Sequence, residues 1–251
     1  MNALPLTSAK DTIPYADFYR FDRGDFELLD SHGIRFFSVA DLMRRRLEVM
    51  DSAYMVRDAW WNNAFDTISP VVYHPDGRVK LIQDFPDLNI TLATGATIDG
   101  AVVLSNGQYE SLEGLELSRN TVRFYHDRPL TEVEMVDNEA WRFLAGYDAA
   151  LLKEYAHVVS TLRNKTTDID RGIYFGKPED VTTMRLWYVD GLRCNSFLDG
   201  SSGINDSKIL FVARATGDLE SLLARLRKSE DTTQQIDSEN AFEKQFPDMF
   251  D

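Results

Sequence analysis

The chain is short of the residue that builds disulfides and most structural zinc sites. Its 251 residues include one cysteine, Cys194. One thiol forms no intramolecular disulfide, and no zinc site based on several cysteines can be assembled from it. No catalytic signature surrounds Cys194, so we interpret it as a bystander thiol. A chain without disulfides suits a reducing compartment, and we expect a cytoplasmic protein.

Motifs for metals, phosphates and acyl transfer are also missing. The four histidines are isolated in sequence and none has a second histidine at metal-ligand spacing: His32, His74, His126 and His157. The chain has no complete glycine-rich phosphate loop and no Gly-x-Ser-x-Gly elbow of a hydrolase. The sequence therefore predicts neither a bound metal nor a cofactor.

Long apolar runs are absent as well. No uninterrupted apolar stretch approaches the roughly 20 residues that cross a bilayer. Residues Met1 to Asp11 lack the charged-then-apolar layout of a secretory signal. We accordingly expect a soluble protein without a membrane partner.

Acidic residues, by contrast, are abundant. Asp and Glu number 41 against 27 Lys and Arg, which gives a formal net charge of −14. A surface of this sign repels phosphate backbones at long range, so duplex nucleic acid is an unfavourable partner. The hydrophobic fraction of 43% is ample for a sizeable core and excludes a fully disordered chain.

Three regions follow from the distribution of these residues. Residues 1–37 form an arm in which aromatic side chains alternate with Asp and Arg, and we expect it to pack on the body; the alternative is that it docks a neighbouring subunit. Residues 38–228 contain the patterns of a folded body. Residues 229–251 hold seven acids and one Lys, which predicts an acidic, flexible C-terminal tail.

Helical signals are clearest in two places. Ser38 and Asp41 have the spacing of a capping box, and apolar residues at helical spacing follow, in a helix that could extend through Trp60 and Trp61. Its three adjacent arginines, 44–46, are interpreted as a solvated face. The second signal is one apolar stripe in the middle of the chain, made of Leu151, Leu152, Tyr155, Val158, Val159 and Leu162.

Strand signals occur in two regions around the second helix. Residues 70–74 and 78–82 flank Pro75-Asp76-Gly77, which predicts a hairpin. Further strands are predicted at 88–93, 101–104, 121–125, 172–176, 184–189 and 208–214. Turns are predicted at Asp99-Gly100 and Asn106-Gly107. This order predicts an α+β fold with antiparallel-rich sheet regions and packed amphipathic helices.

The first candidate binding segment is 184–207, where a strand opens into a stretch rich in Asp, Asn, Ser and Gly. Aromatics, Arg and small polar residues suit an adaptable recognition surface, although turns use the same small residues. In composition the segment resembles the display loops of C-type-lectin-like ligand-binding proteins, which implies a loop that presents side chains to a ligand. The candidate binding residues are Trp187, Tyr188, Asp190, Arg193, Asn195, Phe197, Asp199 and Asn205.

The second candidate segment is the end of the tail. Phe242, Phe246 and Phe250 stand among acidic residues, a pattern suited to docking into a basic-rimmed apolar groove. It is similar in character to the acidic, aromatic-ended tails of single-stranded-DNA-binding proteins, which recruit partners. Alternatively, these aromatics fold back onto the body.

These features favour a non-enzymatic binding or assembly protein, whose protein partner binds the C-terminal tail or the 184–207 segment. The oligomeric state is left open. One alternative is a hydrolase-like enzyme that assembles Asp168, Asp170, His126 and Asp190 from distant segments. Another is a single-stranded nucleic-acid binder. The bases of the nucleic acid would stack on aromatic residues near arginine, in Arg123-Phe124-Tyr125 and in the stretch from Arg185 to Tyr188.

Overall fold

A computed structural model of the chain describes residues 18–19, 34–83, 85, 88–126, 128–163, 172–191, 198–201, 203 and 211–215. In these ranges the α-helices are Val39–Glu48 (α1), Tyr54–Asn62 (α2), Leu88–Thr94 (α3), Asn106–Ser111 (α4), Arg119–Tyr125 (α5), Glu132–Asp137 (α6), Glu139–Leu144 (α7) and Ala149–Arg163 (α8). The strands are Phe18–Tyr19 (β1), Ile34–Phe36 (β2), Phe65–Tyr73 (β3), Val79–Leu81 (β4), Thr97–Ile98 (β5), Ala101–Val103 (β6), Leu115–Leu117 (β7), Ile173–Tyr174 (β8), Thr183–Val189 (β9), Leu198–Asp199 (β10) and Phe211–Ala215 (β11).

The two long strands β3 and β9 form the antiparallel centre of one sheet, with the order β1-β11-β3-β9-β10-β8 along its main path. Each central strand changes partners along its length. The first half of β3 pairs with β11 and the second half with β4, while β9 pairs first with β6 and then with β10. The predicted α+β class with antiparallel-rich pairing is confirmed.

The main core lies between one face of this sheet and helices α1, α2, α6, α7 and α8. It takes alternate residues from the central strands, as a period of two requires. The largest fully buried side chains of this core are Trp60, Trp61, Trp141, Trp187, Tyr73 and Phe65. Each large apolar side chain that leaves water contributes roughly 1.5–3 kcal/mol.

Several local predictions are confirmed. Ser38 and Asp41 form the reciprocal capping box at the start of α1. The β3–β4 hairpin closes around Pro75-Asp76-Gly77. In α8, the predicted stripe faces the core, with Leu152 and Tyr155 fully buried.

The helix that starts at Ser38 does not continue through the tryptophans, contrary to the prediction. A 3-10 turn at Val49–Asp51 ends it, and the extended backbone at Ser52 redirects the chain into α2. Trp60 and Trp61 both lie in α2, and both are buried in the core.

The strand predictions at 88–93 and 121–125 are wrong, because both segments lie in helices. In α5, Ser118 accepts a hydrogen bond from the Thr121 backbone and caps the helix. Asn106-Gly107 is not a free turn either. Ser105 and Gln108 form a capping box there, so the pair begins α4. In each case a local signal read as strand or turn gave way to a capped helix.

Arg46 is another correction, since it is buried rather than solvated. Its guanidinium donates to the carbonyls of Trp60, Asn63 and Asp190 and to the Tyr155 hydroxyl. The buried charge is therefore surrounded by acceptors that compensate for lost water. One side chain thus links α1, α2 and α8 to the end of β9.

Candidate functional site

Two neighbouring cross-strand rows on opposite faces of the sheet define the site. The first row is Phe65, Val189, Leu198 and Ile173, from β3, β9, β10 and β8. All four are buried in the core. The residue beside each in the same strand points to the opposite face, since side chains alternate.

The second row therefore lies away from the core, and we call it the outer row. It consists of Asp66, Tyr188, Asp199 and Tyr174, paired in register across the same four strands. Asp66 is buried, Tyr188 and Asp199 are half-buried, and Tyr174 is 38% exposed. Carboxylates and phenols alternate across about 14 Å of sheet, given a strand spacing of about 4.8 Å.

Asp199 is held in one orientation by its own turn. Its Oδ1 accepts hydrogen bonds from the backbone and the hydroxyl of Ser201, each at 2.6 Å. A carboxylate fixed in this way presents a defined acceptor without losing rotamer entropy when a ligand binds.

His126 continues the site at the β8 edge. Its backbone forms a bridge with Ile173, and its ring lies 4.5 Å from the ring of Tyr174. The Phe175 backbone donates to His126 Nδ1 at 3.1 Å. In the neutral imidazole, the proton therefore sits on Nε2. His126 adds an exposed hydrogen-bond donor next to the Tyr174 phenol.

Tyr73 holds the ends of β8 and β10, the two strands that carry Tyr174 and Asp199 of the outer row. Its hydroxyl accepts from Gly176 N at 3.1 Å and donates to Gly200 O at 2.7 Å. Burial raises the pKa of this phenol well above its ordinary value. Gly200 leaves room for this contact, since a Cβ there would lie 2.5 Å from the Tyr73 hydroxyl.

Arg185 and Trp187 support the same segments from the core side of β9. Arg185 Nη1 donates to Ser201 O at 3.1 Å, and Nη2 lies 3.8 Å from Glu179. The Trp187 ring meets Phe175 edge-on at 5.7 Å and is fully buried. These contacts hold both β8 and β10 against β9.

Asp190 lies where β9 ends. Its carboxylate accepts from Gly191 N at 2.8 Å, and its carbonyl accepts from Arg46. Gly191 passes so close to α2 that a Cβ would lie 2.6 Å from Asn62 O. The end of β9 is thereby held against α2.

Of the predicted binding residues, the structure brings Tyr188 and Asp199 together in the outer row. Trp187 lies beneath them, and Asp190 ends the strand. The remaining candidates fall outside the described residues: Arg193, Asn195, Phe197, Asn205, Phe242, Phe246 and Phe250. Sequence reasoning missed Asp66 and Tyr174, since neither is near 184–207 in the chain and only strand pairing joins them.

The predicted catalytic set is not gathered within the described residues. Asp168 and Asp170 lie outside them. His126 and the end of β9 are separated by three strand spacings, about 14 Å. Among the described residues, no cluster of three or more His, Cys, Asp and Glu side chains is arranged to hold a metal.

Within the same ranges, none of the helices combines the length and the apolar character needed to cross a membrane. The single thiol, Cys194, falls in the undescribed segment 192–197.

Comparison with known proteins gives a fold and no family. No family model matches the chain, and no curated protein matches it. One solved structure matches. Its description is "Accommodation of massive sequence variation in Nanoarchaeota by the C-type lectin fold". The match has a TM-score of 0.59 and 14% identity, and covers 79% of this chain and 96% of that one. The chain is therefore similar in fold to the C-type lectin fold.

Proposed function

We propose that this chain is a non-enzymatic binding protein whose ligand surface comprises the less buried residues of the outer row, Tyr188, Asp199 and Tyr174, and the segments beside them. The observation that supports this most is the pair of rows. One face of four strands is committed to the core, while the other alternates two carboxylates with two phenols. Carboxylate and tyrosine side chains give a surface both hydrogen bonds and contact area.

The rigidity of the support favours binding. Tyr73, Arg185 and Trp187 fix the β8 and β10 segments from below. A preorganised surface loses less entropy on association, and so converts more of its contacts into affinity. The fold neighbour points the same way, since its description concerns a fold that accommodates sequence variation. Such a scaffold suits a surface specialised for its ligand.

The undescribed part of 184–207 belongs to the same proposal. Gly191 begins one segment at the end of β9, and Leu198 resumes the sheet beside it. The sequence has Arg193, Asn195 and Phe197 between these two residues and Asn205 shortly after β10, and we propose that all four contribute to ligand binding.

The tail carries a second proposed contact. Residues 229–251 have a net charge of −6 and include Phe242, Phe246 and Phe250. We place this acidic, aromatic segment against a basic-rimmed apolar surface. The packing of the arm, 1–37, on the body formed by 38–228 stays a prediction from its aromatic residues.

A capture experiment from native lysate tests the outer row. Full-length protein is compared with Tyr174→Ala/Tyr188→Ala, and with Tyr54→Ala as the matched control. Tyr54 is 67% exposed and lies on α2, so its loss removes a surface phenol elsewhere. We expect a protein captured by the full-length chain and by the control to be lost with the double variant.

The captured protein is then purified and titrated against the same three proteins. A binding surface centred on tyrosines predicts that the double variant raises Kd by about tenfold or more, which corresponds to about 1.4 kcal/mol. Equal affinity of all three proteins would contradict the role of the outer row. Failure of the full-length chain to retain any protein would contradict a protein partner.

A further inference from the structure

Helix α5 is a second surface, separate from the outer row in chemistry. None of its side chains is buried. Val122 and Tyr125, three residues apart, pack partly against the core. The opposite side carries Arg119, Arg123 and Phe124, all exposed. We call these three residues the α5 surface.

Among the described residues, Phe124 is the most exposed phenylalanine, with 60% of its surface in water. The guanidinium of Arg128 lies 4.6 Å from the centre of its ring. An exposed aromatic ring costs hydrophobic free energy, and a ring bordered by arginine suits a partner that supplies both apolar and anionic groups.

The charge of the α5 surface is opposite to that of the protein. Arg128 is paired with Glu134. Among the described residues, no ion pair engages Arg119 or Arg123. Two unneutralised guanidinium groups therefore flank an exposed ring on a chain of net charge −14. A local potential of this sign attracts acidic segments at long range.

We infer that the α5 surface is the docking site for the acidic, aromatic segment 240–251 of this chain. This segment offers Phe242, Phe246 and Phe250 for the apolar part of the surface. Its acids, with a single Lys among them, are available to Arg119 and Arg123. The inference rests on the tail contact proposed above and names its docking surface, which is separate from the outer row.

The test uses a fluorescein-labelled peptide of residues 240–251 and full-length proteins. The receptor is the variant Phe242→Ala/Phe246→Ala/Phe250→Ala, whose own tail lacks the docking aromatics. Arg123→Glu is added to that receptor to reverse the charge of the surface, and Phe124→Ser is added in a second version. Arg142→Glu, an exposed arginine on α7, is the matched control.

Fluorescence anisotropy at low salt is expected to show saturable binding to the receptor and to its Arg142→Glu version. Arg123→Glu and Phe124→Ser should each weaken binding by at least tenfold. The wild-type chain should bind the labelled peptide more weakly than the receptor does, because its intact tail competes for the same surface. A peptide with its three Phe residues changed to Ala should not bind.

Equal binding by the receptor and its Arg123→Glu and Phe124→Ser versions would overturn the inference. So would a peptide that fails to bind the receptor. A labelled single-stranded oligonucleotide is titrated in parallel. If it binds through Arg123 and Phe124 and the peptide does not, the surface belongs to nucleic acid and the inference is wrong. Neither result bears on the outer row, which the Tyr174→Ala/Tyr188→Ala variant tests separately.

Discussion

Two stretches of this chain combine arginine with aromatic residues, and the fold treats them in opposite ways. Arg123-Phe124-Tyr125 lies on α5, where Arg123 and Phe124 are exposed. The stretch from Arg185 to Trp187 lies on β9, and its three residues are all buried. Similar composition therefore gives a surface in one place and a support in the other.

The difference comes from the neighbours of each element. Strand β9 is central, with β3 on one side and β6 and β10 on the other, and its side chains from Thr183 to Trp187 are buried on both faces of the sheet. Helix α5 packs against the main core through Val122 and Tyr125. An arginine beside an aromatic residue indicates a binding surface only when the element lies at the periphery.

Removal of the Trp187 ring is the strongest way to test the supporting role of β9. Trp187→Ala is expected to lower the free energy of unfolding by about 3–5 kcal/mol, because a fully buried aromatic side chain leaves a cavity. Urea denaturation measures the change through the midpoint at constant slope. A loss below about 1 kcal/mol would show that the site around Trp187 collapses freely.

The two arginines give a matched comparison with a smaller effect. Arg185→Ala should cost about 1–3 kcal/mol, because it removes the donor to Ser201 and the partner of Glu179 in a buried setting. Arg123→Ala should change stability by less than about 0.5 kcal/mol, as is usual for exposed positions. Equal losses in urea denaturation would contradict the distinction between the two stretches.

Tyr73→Phe sharpens the same comparison with a single-atom change. The lost hydroxyl leaves Gly176 N and Gly200 O without their partner, and we expect a cost of about 1–2 kcal/mol. Amide hydrogen exchange should accelerate at Gly176, whose N–H donates to that hydroxyl, and remain unchanged in α5. Unchanged exchange at Gly176 would mean that other contacts hold the segment.

The same residue predicts a dependence on alkaline pH. Burial raises the pKa of Tyr73 above its ordinary value of about 10. Below pH 10 the phenol is neutral in both states, so its stabilisation is complete. Above pH 10 the unfolded chain releases the proton first, and stability falls as pH rises towards the folded-state pKa.

Urea midpoints from about pH 8 to about pH 11 should therefore fall more steeply for the wild type than for Tyr73→Phe. Tyr109, whose pKa is also raised by burial, is present in both proteins and does not affect the difference. Parallel curves would contradict a buried, neutral phenol at position 73.

Phe124→Ala is expected to change the free energy of unfolding least. Because 60% of the side chain is already in water, the change should stay within about 0.5 kcal/mol. Thermal or urea unfolding measures it, beside Trp187→Ala. A loss of about 2 kcal/mol or more would place Phe124 in the fold rather than on a docking surface.

Predictions made from the sequence succeeded where the determining contacts are local. The Ser38 capping box, the hairpin at Pro75-Asp76-Gly77 and the α8 stripe all depend on residues a few positions apart. They failed where a cap was not recognised, as with Ser118 before α5. They also failed at Arg46, whose burial depends on acceptors supplied by three other segments of the chain.

The residues of the candidate site also differ in whether local sequence or tertiary contacts reveal them. Tyr188 and Asp199 could be selected from the sequence because they lie in one polar, aromatic segment. Asp66 and Tyr174 could not, since strand register across β3, β9, β10 and β8 alone places them beside those residues. Register is set by packing of the buried row, which no single segment encodes.

By itself, the sequence determined the α+β class, the acidic character, the lack of disulfides and the positions of the strongest helices and turns. Each of these depends on composition or on spacing within a few residues. Only the tertiary structure decided which arginine is buried and which aromatic residues share a surface. Those properties depend on contacts between segments far apart in the chain, and such contacts exist only once the sheet has assembled.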